Sequence, residues 1–413
     1  MTVGVFSLDE NVTVEGQIGI EADTIVVSAV ALSRLRHQNL LCVNDGLAVV
    51  GVLLLLAVVG GIVTPAYFVF LLGLGGMYAL LSLGLNAQWG FTGLINFSVA
   101  AFFGIGAYGA ALMTGRTSPV GLDVVPVVGL VVALLLAAVV AVLIGLPTLR
   151  LRADYLAIAS LGLAEVVRLL ALNQESWTNG SAGVRGIPQF FAGWPVLDGL
   201  PSALPGFRIE LVPGSPFFLE TPFYTAFLNL VVIGAFLAAS YAVLRRAHRA
   251  PWGRLLRTIR ADEDLAEALG KDTYRYKMQA FVLGSLVMAL AGVFYAHLNR
   301  FVAPGTLDPI TTFYVWVAVM LGGSGSNRGA LLGGFVIVAI REGTRFVDGI
   351  GAVPIGPGPL RLLAIGVLII LVMRFRPQGV LPPQRELIWP GTVDETPTTP
   401  DAGVREARGD GDE

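Results

Sequence analysis

The polar side chains that could act in this sequence are concentrated in one stretch, 245–277. Apolar residues recur there at helical spacing between 252 and 270, which predicts one short amphipathic helix. The residues expected on its apolar face are Leu255, Ile259, Ala266 and Leu269. Gly270 follows at once, and glycine adopts the left-handed conformation that ends a helix at little cost. From the residues alone two interpretations stay open: a helix that docks into a groove on another protein, or an ordinary basic loop that contains a helix.

Catalytic and metal-binding patterns are missing from the sequence. The one Gly-Lys pair, Gly270-Lys271, is followed by Asp272 and lacks the upstream glycine of a phosphate-binding loop. The chain therefore cannot hold ATP phosphates in that manner. The single cysteine, Cys42, excludes an internal disulfide and a cysteine-based metal cluster. The histidines are too scattered to share a metal by local spacing; they are His37, His248 and His297. We predict no catalytic residue, no metal ligand and no cofactor in this chain.

Two features inside the apolar part of the chain are polar. Glu165 and Arg168 are three residues apart on a predicted helix, where they can neutralise each other's charge, as a membrane interior demands. This spacing favours a structural ion pair over a pair that contacts a substrate. A polar turn is expected after this helix. Together with a polar position in the predicted span 94–114, it forms the hypothesis for a substrate path. The residues of that hypothesis are Asn96, Gly180, Ser181 and Gly183.

The elements that must position these residues are membrane helices. Of the 413 residues 55% are hydrophobic and only 14% are charged, and the mean hydropathy is +0.74. The apolar residues form long uncharged runs, which indicates an all-α integral membrane protein, a polytopic bundle of about ten transmembrane helices. The predicted spans are 46–63, 66–85, 94–114, 124–146, 154–173, 223–244, 279–297, 306–323, 328–347 and 360–374. The pair within 306–347 could instead be one broken or re-entrant element.

Basic residues predict the orientation of the bundle. Clusters of Lys and Arg precede the first span and follow the fourth, sixth and tenth, which places them all on one side if ten spans are counted. The positive-inside rule makes that side the cytoplasm. Both termini and the stretch 245–277 are then cytoplasmic, and the loop 173–222 is external.

Three segments are predicted along the chain. Residues 1–44 form a polar N-terminal extension without a span, which is either a small appendage or the product of a misplaced start codon. Residues 45–382 form the transmembrane domain. Residues 383–413 form an acidic C-terminal tail, which is expected to be disordered.

Several motifs resemble one family of transport proteins. Glu267-Ala268-Leu269-Gly270 is similar to the loop through which permeases of ABC importers dock into their ATPase subunits. The segments AFFGIGAY at 101–108, TNGSAGVRGIP at 178–188 and RFRPQGVLP at 374–382 resemble the LivM-type permeases of branched-chain amino-acid importers. The similarity covers about 80–382. It departs from the family pattern at Asn96-Phe97, where the family usually has His or another polar residue, so a polar role there stays open.

The resemblance implies a permease subunit of an ABC importer. Its expected partners are a second, LivH-like permease, two ATPase subunits that bind ATP and Mg, a periplasmic or surface-anchored solute-binding protein, and membrane lipid, but no nucleic acid. Leucine, isoleucine or valine is the expected substrate. The resemblance implies that 252–270 is a cytoplasmic coupling helix. It assigns ATPase coupling to Arg260, Asp262, Glu267, Ala268 and Gly270.

Three alternatives stay open. Very similar permeases serve importers of urea and short amides, and the sequence separates these substrates poorly. An ion-coupled secondary carrier would need charged residues near the middle of the membrane, for which Glu165, Arg168 and Arg361 are the candidates. An intramembrane enzyme would need a nucleophile and a base on facing spans, yet the spans hold few hydroxyls near any histidine.

Overall fold

The computed structural model describes residues 64–120, 122–194, 196–212, 215–344 and 357–383. The described residues divide into a larger compact unit, within 66–206 and 219–383, and a smaller one that includes 207–212 and 215–218. Helices dominate the larger unit. In chain order they are α1 Pro65–Leu85, α2 Val99–Thr114, α3 Pro126–Thr148, α4 Ala153–Asn173, α5 Glu175–Thr178, α6 Leu200–Ala203, α7 Thr221–Arg249, α8 Pro251–Ala261, α9 Glu263–Ala268, α10 Thr273–Asn299, α11 Ile310–Gly322, α12 Asn327–Gly343 and α13 Pro357–Phe375.

Strands are short. They are β1 Val184–Arg185, β2 Phe207–Val212, β3 Ser215–Leu219 and β4 Phe301–Val302. β1 pairs antiparallel with β4, with Val184 opposite Val302. β2 and β3 form a separate two-stranded sheet, which lies in the smaller unit.

Length and composition identify six helices, within the described ranges, that can cross a membrane. They are Pro65–Gly90, Pro126–Thr148, Ala153–Asn173, Thr221–Arg249, Thr273–Asn299 and Gly358–Phe375. α2 and α11 are apolar but shorter. Each predicted span from 66–85 to 360–374 coincides with a helix, and the predicted span 46–63 lies outside the described residues. The all-α membrane class is confirmed, whereas the number of about ten spans stays a prediction.

Small residues let the central helices approach closely. A Cβ placed on Gly106 of α2 would lie 2.0 Å from the Ala289 carbonyl oxygen of α10, and one on Gly292 would lie 2.0 Å from the Phe103 carbonyl oxygen. Lipid provides no hydrophobic drive for helix association, so such close backbone packing holds membrane helices together. α2 and α10 form the centre of the bundle, while α3, α4 and α13 leave most of their apolar side chains exposed.

α11 and α12 are two separate helices joined by the turn 323–326, and they also pack through glycines. A Cβ on Gly329 would lie 2.3 Å from the Gly322 carbonyl oxygen, and one on Gly333 would lie 1.9 Å from that of Ala318. Gly325 precedes α12 in the turn, with a φ of +89°.

Replacing Gly333 with alanine is expected to destabilise the protein by about 1–3 kcal/mol, because the new methyl group forces α11 and α12 apart. The matched control is Gly343→Ala in the same helix, where a Cβ would meet nothing within 4 Å. Thermal unfolding in detergent measures both variants. A Gly333→Ala melting temperature equal to that of Gly343→Ala would contradict this packing.

Candidate functional site

The predicted helix 252–270 is two helices, α8 and α9, which corrects the prediction of one continuous helix. Asp262 separates them with an extended backbone, φ −157° and ψ 108°. Its carboxylate accepts a hydrogen bond from the Leu265 backbone N–H at 2.9 Å. An aspartate that satisfies a first-turn N–H starts a new helix, so Asp262 begins α9 instead of continuing α8. Residues 251–271 are called the α8–α9 corner below.

The break at Asp262 changes which residues the corner exposes. Ile259 of α8 and Ala266 of α9 are buried as predicted, but Leu269 is 66% exposed, so its placement on the buried face was wrong. Leu265, four residues earlier, is 52% exposed. Leu265 and Leu269 are the large apolar side chains that the corner exposes.

The end of α9 is held by a backbone motif. Gly270 has a φ of +73°, as expected of the residue that ends a helix. Its N–H donates to the Glu267 carbonyl at 2.8 Å, and the Lys271 N–H donates to the Ala266 carbonyl at 3.1 Å. This pair of hydrogen bonds is the Schellman motif, which satisfies the last carbonyls of a helix. The predicted helix-ending role of Gly270 is confirmed.

Side chains fasten α9 to the start of α10. The Thr273 hydroxyl donates to Glu267 at 2.7 Å and can donate alternatively to Glu263 at 3.1 Å. Lys277 forms a salt bridge with Glu263. Glu267 thus acts as an internal brace of the corner, and Ala268 lies exposed beside it. α9 is thus fastened to the start of α10 through Glu263 and Glu267.

Arg260 connects the corner to the bundle. One guanidinium nitrogen donates to the Gly90 carbonyl, and another donates to the Ser324 hydroxyl at 3.3 Å. Gly90 ends the π-helical turn Asn86–Gly90 that follows α1, and Ser324 lies in the turn between α11 and α12. Arg260 therefore joins α8 to two interruptions of the membrane helices.

These two interruptions are also bonded to each other. The Asn86 side chain accepts from the Gly325 backbone N–H at 2.8 Å and donates to the Asn327 side chain at 3.0 Å. π-Helical turns and broken membrane helices are frequent at functional sites, and they are tolerated where other groups satisfy the backbone. The Arg260 contacts, the π-helical turn and the turn 323–326 form one connected unit.

Beside this unit lies a buried polar network centred on Gln88. Its amide donates to the Phe281 carbonyl at 2.8 Å and to the Ser285 hydroxyl at 3.2 Å, and it accepts from the Asn96 side chain at 2.6 Å. The backbone carbonyl of Asn96 accepts from the Trp316 indole at 3.1 Å. Asn96 is fully buried and hydrogen-bonded, and its assignment to a substrate path stays a prediction.

Replacing Gln88 with leucine is expected to destabilise the protein by about 2–4 kcal/mol, because the Asn96 amide and the Phe281 carbonyl each lose a buried partner. Urea unfolding in detergent measures the change. Gln174→Leu is the control, since Gln174 is exposed. If both variants unfold at the same urea concentration, the Gln88 network contributes nothing to stability.

The predicted polar turn exists as the 3₁₀ turn Gly180–Ala182, after α5. Gly180 and Gly183 have φ values of +53° and +67°. A Cβ on Gly183 would lie 2.3 Å from the Val302 carbonyl oxygen. The backbone at both positions therefore favours glycine, and Ser181 and Ala182 are the exposed residues of the turn. Their contact with a substrate stays a prediction.

The predicted ion pair on α4 is present. Arg168 Nε donates to Glu165 at 2.9 Å, and the two side chains are 29% and 38% exposed. The bond joins two positions of one helix turn, as the spacing requires.

A second charged pair was missed by the sequence reasoning. Arg341 donates to the Tyr78 hydroxyl, and its Nε lies 3.7 Å from the Glu342 carboxylate. Glu342 is nearly buried and accepts from Tyr67 at 3.5 Å. The signal that could have found it is the Arg-Glu dipeptide within the predicted span 328–347.

Comparison with known proteins places the chain in a family. Residues 67–373 match the family model described as the permease component of the branched-chain amino acid transport system. The high-affinity permease LivM of Escherichia coli is 33% identical over 75% of this chain and 68% of its own length. A probable LivM permease of Methanocaldococcus jannaschii is 27% identical over 76% and 93%. The permease LivH of Salmonella typhimurium is 27% identical over 64% and 80%. No solved structure matches significantly. The chain belongs to the family of branched-chain amino acid permease components.

Proposed function

We propose that this chain is a transmembrane permease subunit of an ABC importer and forms part of the translocation path for branched-chain amino acids. The observation that carries the proposal is the α8–α9 corner. It presents Leu265 and Leu269 outward, is braced through Glu263 and Glu267, and is joined by Arg260 to the interrupted helices.

The corner is the ATPase-coupling element in this proposal. Asp262 and Gly270 fix the two ends of α9, Glu267 braces it, and Ala268 leaves space beside the two leucines for a groove on the ATPase. ATPase closure displaces the corner, and Arg260 transmits the displacement to Gly90 and Ser324. The helices on either side of the two interruptions then move relative to each other, as in other rigid-body transitions.

The resemblance to permeases of ABC importers supplies the proposed partners. Because the chain resembles LivM and LivH alike, a second, similar permease completes the path. Two ATPase subunits bind ATP and Mg, and a solute-binding protein delivers substrate at the outer face. In this arrangement about ten helices within 45–382 cross the membrane, both termini are cytoplasmic, and the extensions 1–44 and 383–413 lie outside the membrane. Asn96, Gly180, Ser181 and Gly183 lie along the path.

Reconstitution of the complete complex tests the function. The expected result is ATP-dependent accumulation of radiolabelled leucine that requires all subunits. Uptake of urea in place of leucine would overturn the substrate assignment. Leucine accumulation driven by an ion gradient, without ATP, would instead identify a secondary carrier.

A further inference from the structure

A cavity of about 520 Å³ opens where α11 and α13 end beside α8. Its walls are mainly apolar and include Val317, Met320, Ile369, Val372 and Met373. The volume is in the range of cavities that bind small molecules or one part of a larger ligand. The proposed coupling function gives no role to this space.

Two arginines give the cavity its charge. Arg260 and Arg376 both line it, and none of the described residues that line it is acidic. A guanidinium carries five N–H donors, of which Arg260 uses one for Gly90 and one for Ser324. Donors therefore remain for a ligand, and Arg groups suit phosphate oxygens in particular. The cavity is complementary to an anion that has an apolar part.

The position of the cavity narrows the choice of ligand. Arg376 directly follows Phe375, the last residue of the apolar helix α13. The charged side of the cavity thus lies at the end of a membrane span, where lipid headgroups begin. The apolar lining residues of α13 come before Arg376 in the chain and therefore lie at the level of the lipid chains. They are Ile369, Val372 and Met373. Met373 is 53% exposed, which leaves the apolar wall open to the side.

We propose that this cavity binds an anionic phospholipid. The phosphate contacts Arg260 and Arg376, and an acyl chain lies along Ile369, Val372 and Met373. Anionic lipids are attracted to basic residues at the membrane surface, and the apolar wall adds contacts that a free anion cannot make. Because Arg260 also connects α8 to the interrupted helices, the bound lipid lies against the contact that the proposed coupling uses. Lipid binding itself is independent of transport.

Spin-labelled lipids test the proposal with the full chain reconstituted in vesicles of phosphatidylcholine. Electron paramagnetic resonance measures the immobilised fraction of labelled phosphatidylglycerol and of labelled phosphatidylcholine. The expected preference for phosphatidylglycerol is about fivefold for each arginine that contacts the phosphate. Arg376→Gln should lower it by about that factor. Arg374→Gln removes the same charge from an exposed position that does not line the cavity, and should lower it far less.

A second variant tests the apolar wall. Val372→Trp fills part of the cavity and should lower the immobilised fraction of phosphatidylglycerol while both arginines remain. Equal immobilisation of the two lipids by the unaltered chain would overturn the proposal, and so would equal effects of Arg376→Gln and Arg374→Gln. Displacement of phosphatidylglycerol by millimolar inorganic phosphate would show a site for a free anion and would also overturn it.

Discussion

Replacing Arg260 with glutamine is expected to lower ATP-driven leucine uptake by about 10- to 100-fold while the ATPase subunits still co-purify. The guanidinium donates to both Gly90 and Ser324, and a hydrogen bond to a charged group contributes about 1.5–3 kcal/mol. Since each 1.4 kcal/mol is a factor of ten, loss of these contacts weakens the transmission of movement by that range. The corner itself remains folded, because its bracing residues are unchanged.

The matched control for this prediction is Arg254→Gln. Arg254 lies in the same helix and is exposed, and its side chain lies outside the connection to Gly90 and Ser324. Uptake by Arg254→Gln should stay within about twofold of the unaltered protein, a range typical of surface substitutions. Equal loss in the two variants would show that net positive charge, and not the Arg260 contacts, matters.

The double substitution Leu265→Asp and Leu269→Asp is expected to abolish both uptake and co-purification of the ATPase subunits. Burying two unpaired carboxylates in an apolar groove costs several kcal/mol, which corresponds to more than a hundredfold loss of binding. The permease should still insert and fold, because both leucines are exposed in the isolated chain.

Leu204→Asp is the control for the leucine pair. Leu204 is also exposed, at 38%, but lies next to α6 in the loop between α4 and α7. Its substitution should leave co-purification intact. The two predictions separate two steps. Leu265 and Leu269 govern binding of the ATPase to the corner, whereas Arg260 governs transmission of the corner's displacement to the membrane helices. ATPase retention by the Leu265/Leu269 variant would place the attachment elsewhere.

The membrane helices could be predicted from the sequence because their signal is local. Long apolar runs, with polar residues between them, locate α1, α3, α4, α7 and α10 to within a few residues. The Glu165–Arg168 pair and the end of α9 at Gly270 were also predictable. Each depends on residues only three or four positions apart, where helical geometry fixes the contact.

Apolar periodicity alone did not predict the break between α8 and α9 at Asp262. Leu255, Ile259, Ala266 and Leu269 fit one helical face only if the helix is continuous, and Asp262 interrupts it. An aspartate followed by acidic residues and then by apolar ones is a signal for a helix start, so the break could have been found. Without it, Leu269 was placed on the wrong face.

The contacts that connect the corner to the bundle could not be predicted. Arg260 and Gly90 are 170 residues apart, and Gln88 and Phe281 are 193 residues apart. No spacing rule links such positions, because the packing of the whole bundle brings them together. The π-helical turn at 86–90 is likewise set by tertiary contacts. The residues assigned to the substrate path share no spacing rule either, and their role stays a prediction.

Thiol cross-linking in the complete complex tests the central claim most directly. Cys42 is the single cysteine, so a chain carrying Cys42→Ser and Leu269→Cys presents one thiol, on the exposed side of the α8–α9 corner. A short bifunctional maleimide is expected to join this position to an ATPase subunit that carries a cysteine in its groove, and to give no product with Leu204→Cys. Equal yields from the two positions, or no ATPase product from position 269, would contradict the account.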